Sequence, residues 1–289
     1  MKPAAYVDEI LAWRREKDKA LRRRDGWLAL AGLHWLAEGS QTAGSSDGAD
    51  LRLPASVPPR LGSFEVRHGQ VFFRRDRSLP TPLEGERSDG AALRPDDSED
   101  PDFLRAGEVT LVVIQRAGRL GLRVWDNARR ERTSFRGRSW FDVDRAWSVQ
   151  ARFEVAPGGR RVVVPNQLGD LTEEPLLGSA TFSLAGRAAR LQAVPTGDGK
   201  LWFLFEDATN GETTYPAGRF LVAEPAEAGL TLLDFNRAYN PPCAFTPYAT
   251  CPLPPKANRL RMRVEAGERY RADEARPHAT RSRQARIGP

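Results

Sequence analysis

Hydrophobic and polar positions follow two rhythms along this chain. Over residues 4–23, Val7, Ile10, Leu11, Arg14, Lys17 and Leu21 recur near a 3.6-residue spacing, which predicts one amphipathic helix with charged flanks. Asp25-Gly26 follows as its stop, because glycine can take the left-handed conformation. From Trp27 onward the pattern changes to short runs rich in β-branched and aromatic residues. Segments 63–67 and 70–74 flank His68-Gly69, and 108–115 and 120–125 flank Ala117-Gly118; both read as hairpins with a glycine turn. A third pair, 148–155 and 161–164, is split by Pro157-Gly158-Gly159. Further runs lie at 180–184, 191–194, 201–205, 220–223, 230–235 and 260–264. Short strands without intervening helices predict a mainly β fold, an antiparallel barrel or sandwich, with an N-terminal amphipathic helix.

Residues 76–102 carry Pro80, Pro82, Pro95 and Pro101 among many Asp and Arg and read as a long surface loop. From Arg271 the chain is polar and arginine-rich, which predicts a basic flexible tail over 271–289. The expected organisation is a helix at 1–24, one β-rich domain at 25–270 and that tail. Aromatic residues make up 9% of the 289, too many for a solvated coil. No window approaches the ~20 uninterrupted apolar residues of a spanning helix. The start, Met1-Lys2-Pro3-Ala4-Ala5, lacks the apolar stretch of a secretory signal, and with two cysteines there is no disulfide framework; a cytoplasmic location is the expectation.

The net charge of +6 is uneven. Residues 1–24 hold eight basic groups against four acidic, and 256–289 hold ten against four, leaving the middle acidic. Basic ends are compatible with nucleic-acid binding. However, arginine outnumbers lysine 39 to five, as a GC-rich coding sequence produces, and no zinc finger, RNP motif or helix-turn-helix accompanies the charge. Nucleic acid is therefore not the expected partner. No Walker A or dinucleotide glycine motif is present, and no cofactor is implied.

Candidate chemistry concentrates in residues 232–255. Here six prolines stiffen a loop that carries Asp234, Asn236, Arg237, Tyr239, Asn240 and both cysteines, Cys243 and Cys251; stiff polar loops on a β scaffold are favoured places for binding and catalysis. Asp207, Asp234 and Glu268 supply acid or base groups, and Tyr215 and Tyr239 supply proton donors. Arg219 and Arg237 are suited to holding a carboxylate or phosphate, with Asn236, Asn240 and Asn258 fixing its orientation. A plainer alternative makes an Asp–Arg pair such as Asp234 with Arg219 a buried structural ion pair. The cysteines leave several uses open: buried small thiols, a disulfide, zinc ligands with His34, or nucleophilic catalysis by Cys243 with His34 as base and Asp207 or Asp234 orienting it. The Cys-x7-Cys spacing demands no metal, and His34 lies among apolar residues, where a hydrogen-bonded core histidine is the commoner role.

The block Asp234-Phe235-Asn236-Arg237-Ala238-Tyr239-Asn240-Pro241-Pro242-Cys243-Ala244-Phe245, with Thr250-Cys251-Pro252-Leu253-Pro254-Pro255 and Asn258-Arg259-Leu260, resembles the signature of the DUF1684 family. Asp25-Gly26-Trp27-Leu28, Gly32-Leu33-His34-Trp35-Leu36, Asp207-Ala208-Thr209-Asn210-Gly211 and Tyr215-Pro216-Ala217-Gly218-Arg219-Phe220 agree, so the resemblance spans roughly 25–270. It implies one domain on both sides of the 76–102 loop and no activity. The combined expectation is a preformed pocket lined from 207–259 that handles a small polar, anionic molecule. Asp234 and Tyr239 are its foremost acid–base groups, joined by Asp207 and Cys243 as catalytic candidates, with Arg219, Arg237, Asn236, Asn240, Tyr215 and Asn258 as ligand contacts. The alternatives are a non-catalytic ligand- or partner-binding barrel and a Cys/His metal protein. Oligomeric state is not legible.

Overall fold

The computed structural model describes residues 3–87, 90–116 and 118–270; the predicted tail, His278 and Ala117 of the second hairpin turn lie outside them. The fold is mainly β with an N-terminal helix, α1 (Pro3–Leu21). Its buried stripe is Tyr6, Ile10, Arg14 and Leu21, while Leu11 is exposed, so the apolar face is rotated slightly from the predicted one. Gly26 does not adopt the left-handed conformation. It is required for space, since a Cβ there would lie 2.4 Å from the Leu21 carbonyl oxygen. The chain divides into two compact units, Lys19–Arg136 and a second formed by the residues up to Asp18 with those from Gly137.

The Lys19–Arg136 unit holds nine strands: β1 (Leu30–Trp35), β2 (Gly39–Gly44), β3 (Leu51–Arg52), β4 (Gly62–Arg67), β5 (Gln70–Arg75), β6 (Ala92–Leu93), β7 (Phe103–Ala106), β8 (Val109–Arg116) and β9 (Arg119–Asp126). They form two sheets, β1-β9-β8-β7 and β3-β2-β4-β5-β6. Phe64, Val66 and Val71 from one share a core with Leu111, Val113, Leu122 and Val124 from the other, each strand turning alternate residues inward. Both hairpins form. His68 and Gly69 have φ of 52° and 72°, the twist that matches antiparallel strands in a two-residue turn. The 76–102 segment is tied down by charge: Asp102 accepts from Arg94 at 2.9 Å and Arg87 at 3.1 Å.

After a short helix, α2 (Arg130–Thr133), the other unit contains β10 (Ser148–Val155), β11 (Arg161–Pro165), β12 (Leu171–Pro175), β13 (Gly178–Leu184), β14 (Arg187–Pro195), β15 (Leu201–Phe205), β16 (Arg219–Ala223) and β17 (Leu230–Asp234). Six of these form one antiparallel sheet, β16-β15-β14-β13-β10-β17, curled into a half-barrel. Just past β17, Tyr239 and Phe220 of β16 exchange backbone hydrogen bonds of 2.8 and 2.9 Å, so the sheet's far edge is met at one point. Phe182, Phe203, Phe205, Leu233 and Phe235 fill the interior together with Leu260, Met262 and Val264 of the C-terminal segment.

The predicted pairing of 148–155 with 161–164 does not occur. β10 lies between β13 and β17, leaving it no edge for β11. Instead β11 pairs with β12, a polar strand whose Leu171 is exposed and which shows no hydrophobic alternation. This hairpin packs Val162 and Val164 with Leu204, Phe220, Trp202 and Tyr239, residues outside the main interior cluster.

Candidate functional site

Most of the charged and amide residues singled out in the sequence are used inside the fold. Arg219 is wholly buried and pairs with Asp207, not Asp234: Nη2 donates to Asp207 Oδ2 at 2.7 Å and to the Val264 carbonyl at 2.8 Å, while Nη1 donates to the Ala266 carbonyl. Burial pulls its pKa down and the Asp207 carboxylate pushes it back. Asp207 Oδ1 accepts from Thr209 N at 2.8 Å, Thr209 Oγ1 at 2.5 Å and Val264 N at 3.1 Å. This pair therefore joins the 207–214 turn, β16 and the C-terminal segment. Both side chains are 0% exposed, which gives a dissolved anion no access to the guanidinium.

Asp234 lies under α1. The Tyr6 hydroxyl donates to its two carboxylate oxygens at 2.9 and 3.0 Å and accepts from Asn236 Nδ2 at 2.9 Å. Burial and the carboxylate together push the phenol up to about 12. Asn236 also exchanges hydrogen bonds with the backbone of Asp144 at 2.8 and 3.1 Å, and Arg237 pairs with Glu9 of α1. Asn258 replaces missing ladder bonds. β14 and β15 pair only at Val194–Trp202 and Pro195–Leu201, and where they diverge the Asn258 amide accepts from Gln192 N at 2.7 Å and donates to the carbonyls of Gln192 and Leu204 at 2.8 and 2.9 Å.

A second cluster surrounds Glu268. Its Oε2 accepts from Arg138 Nη1 and from Asn240 N, at 2.7 and 2.8 Å. Burial raises the Glu268 pKa and Arg138 opposes that rise. The Lys17 ammonium sits 4.2 Å from the Tyr239 ring centroid, and its pKa is lowered by burial and by Arg138. Tyr239 is pushed up to about 12, chiefly by burial. The Asn240 amide donates to the Arg269 carbonyl at 3.1 Å, but its buried Oδ1 has no protein partner. Lys17 and Arg138 carry no motif and could not be assigned from sequence.

The thiols form the third cluster, where Tyr215 and Cys243 converge. Neither cysteine is in a disulfide. Cys243 N donates to Cys251 Sγ at 3.1 Å, and Gln167 Nε2 donates to Cys243 Sγ at 3.2 Å. Gln167 stands on the β11–β12 turn, which is clamped onto the cysteine loop by Gln167 N to Cys251 O at 3.1 Å and Leu253 N to Pro165 O at 2.7 Å. The Cys243 thiol is held below its ordinary pKa, first by the Cys251 thiol and then, against the cost of burial, by the Tyr215 hydroxyl. Reciprocally, burial and the hydrogen bond to Cys243 raise Tyr215, and Cys251 is pushed up by its bond to Cys243. Hydrogen bonds to a charged form favour it, and the side chains named here as lowering the Cys243 pKa are neutral ones. Tyr270 packs edge-on against Tyr215 at 4.9 Å between ring centroids, and burial and Cys243 raise its pKa. Gln167 and Tyr270 are not legible as site residues in the sequence, since neither a turn glutamine nor a tyrosine outside any motif carries a signal.

His34 belongs to the Lys19–Arg136 unit and both cysteines to the other. Burial lowers the histidine's pKa. Among the described residues, no three His, Cys, Asp or Glu side chains are grouped so as to hold a metal ion.

No curated protein matches the chain. An uncharacterised protein of Haloarcula marismortui, solved by NMR, is 34% identical over 48% of this chain and 80% of its own, with a TM-score of 0.41. The family model described as a protein of unknown function, DUF1684, matches residues 133–269. That span contains all three clusters apart from the residues of α1 and Tyr270, while the segments at 25–36 that also show the resemblance precede it. The chain belongs to the DUF1684 family.

Proposed function

We propose that this protein handles a small polar molecule at the Cys243 sulfur, and that its chemistry is addition of that thiolate to an electrophilic carbonyl carbon. The observation that carries this reading is the convergence of Gln167, Tyr215 and Cys251 on a single sulfur. A thiolate is the nucleophilic form of cysteine, and lowering its pKa without a metal or cation raises its population near neutral pH. In this reading Gln167 and Tyr215 shift from the sulfur to the carbonyl oxygen as it gains negative charge, as donors to an oxyanion do, and when the carbonyl re-forms the bond to the leaving group breaks and that group takes its proton from water. The wholly buried ion pair with Asp207 makes Arg219 a positioning residue for the half-barrel, and the hydrogen bonds that tie Asp234 to Tyr6 and Asn236 make it one for the loop after β17, so in this reading the chemistry falls to the thiol cluster.

The test uses an activated acetyl ester, with the product read by absorbance and intact mass. Wild-type protein should release leaving group in a stoichiometric burst and carry one acetyl on Cys243. Cys243→Ser should lose the burst while keeping its circular dichroism spectrum, and Tyr215→Phe should slow it. An equal burst from folded Cys243→Ser would overturn the reading and favour a non-catalytic ligand-binding domain.

A further inference from the structure

The two thiols are the chain's only cysteines, and the fold brings them together although eight positions separate them. Cys251 Sγ is held against the Cys243 backbone by the 3.1 Å hydrogen bond from Cys243 N. The loop between them is braced by the 3-10 turn Pro242–Ala244, with Phe245 N and Thr246 N both donating to the Pro242 carbonyl at 2.9 and 3.2 Å. Cys243 is 8% exposed and Cys251 4%, and the side chain that covers Cys243, Gln167, belongs to an exposed turn residue. Cys243 thus presents a mostly buried sulfur beside a second thiol and under one surface amide, a setting that suits a small oxidant such as hydrogen peroxide.

We propose that Cys243 and Cys251 form a peroxide-reactive dithiol, in which Cys243 attacks the oxidant and Cys251 resolves it. The inference rests on the same Cys243 thiolate as the proposed function but does not require an acyl substrate. In the first step the Cys243 sulfur attacks one oxygen of hydrogen peroxide. The S–O bond forms and the O–O bond breaks, giving Cys243 sulfenic acid, and the departing oxygen takes a proton and leaves as water. In the second step the Cys251 sulfur attacks the sulfenic sulfur, the S–O bond breaks, and a second water leaves with the Cys251 proton. Two thiols and one peroxide thus give one disulfide and two waters, a two-electron oxidation of the protein. A small dithiol returns both cysteines to thiols by exchange and is itself oxidised to a disulfide. Oxidation removes the nucleophile, so the acyl chemistry proposed for Cys243 should stop in the disulfide form and resume on reduction.

The experiment treats the fully reduced, full-length chain with one equivalent of hydrogen peroxide and measures intact mass, with peptide mapping. Wild-type protein should lose two hydrogens, map to a Cys243–Cys251 link, and regain them with dithiothreitol. Cys251→Ser should gain one oxygen on Cys243, trapped by dimedone, and Cys243→Ser should remain unchanged. A wild-type chain that gains oxygen without losing hydrogen shows that the sulfurs do not meet, and oxidation of Cys251 in Cys243→Ser at the wild-type rate reverses the roles; either result overturns the proposal. So does a native chain whose thiols stay unmodified under conditions that oxidise the urea-unfolded chain. The ester assay separates the two ideas. A wild-type chain that takes up acetyl and forms no disulfide defeats the dithiol alone; a disulfide without acetylation defeats the acyl reading alone.

Discussion

Replacing Asp207 with asparagine leaves the Arg219 guanidinium buried without its counter-charge. The carboxylate accepts four hydrogen bonds, from Arg219 Nη2, Thr209 N, Thr209 Oγ1 and Val264 N, and neither side chain of the ion pair reaches solvent. Three carbonyl oxygens continue to accept from Arg219, but its Nε already lacks a partner, so the lost charge has no local substitute. Breaking one side of such a pair costs about 3–5 kcal/mol, and hydrogen bonds to a charged group are worth about 1.5–3 kcal/mol each. We expect Asp207→Asn to destabilise its unit by about 3–5 kcal/mol. At a urea m-value of roughly 1–3 kcal/mol/M, the midpoint falls by about 1–5 M. Circular dichroism in urea measures it, with hydrogen exchange at β15 and β16 amides assigning the transition to this unit. Arg219→Met should cost a similar amount, and Asp207→Asn with Arg219→Met should be clearly milder than the sum, since no uncompensated charge remains. A single-variant loss under about 1 kcal/mol, or strict additivity, would refute the reasoning. An unchanged midpoint in Arg219→Met would return that residue to the anion-binding role expected from sequence.

Two further expectations concern pH. Tyr6, pushed from its ordinary 10.0 to about 12 by burial and Asp234, stabilises the fold fully below pH 10 and loses that contribution as pH rises from 10 to 12; alkaline urea melts of Tyr6→Phe should therefore fall less steeply across that window than wild type, and parallel curves would contradict the assignment. Glu268 is raised by burial above its ordinary 4.5, so its favourable share is present below that value and declines as pH climbs through the raised pKa. Glu268→Gln, whatever its absolute cost from unpairing Arg138, should gain stability relative to wild type with increasing pH, and a difference that moves the other way would show that Arg138 outweighs desolvation.

The half-barrel's buried polar groups explain why so many candidate residues were legible as important and illegible in role. Asp207, Asn210 and Thr209 sit in one turn, and their mutual hydrogen bonds could be foreseen from Asx-turn chemistry. That Arg219 chooses Asp207 over Asp234 could not, because the choice depends on which strand ends the curled sheet brings together. The residue type of Asn258 suggests a ligand contact, while its amide spans β14 and β15 where their ladder stops, a gap that appears only after the strands are paired. Likewise proximity in sequence suggests β11 as the partner of β10, but β13 and β17 occupy both its edges.

The α1 helix, the mainly β class, the two glycine hairpins and the loop that holds both cysteines are legible in the sequence alone. These features follow from backbone preferences and side-chain alternation acting over a few residues. The partners emerge with the fold: Tyr6 on Asp234 across 228 positions, Gln167 on Cys243 across 76, and Glu268 on Arg138 across 130. The reach and direction of such side chains are set by sheet curl, strand register and the course of the C-terminal segment. Each of these is a property of the whole folded unit, since a buried polar group must find whichever partner the packing places within hydrogen-bond distance.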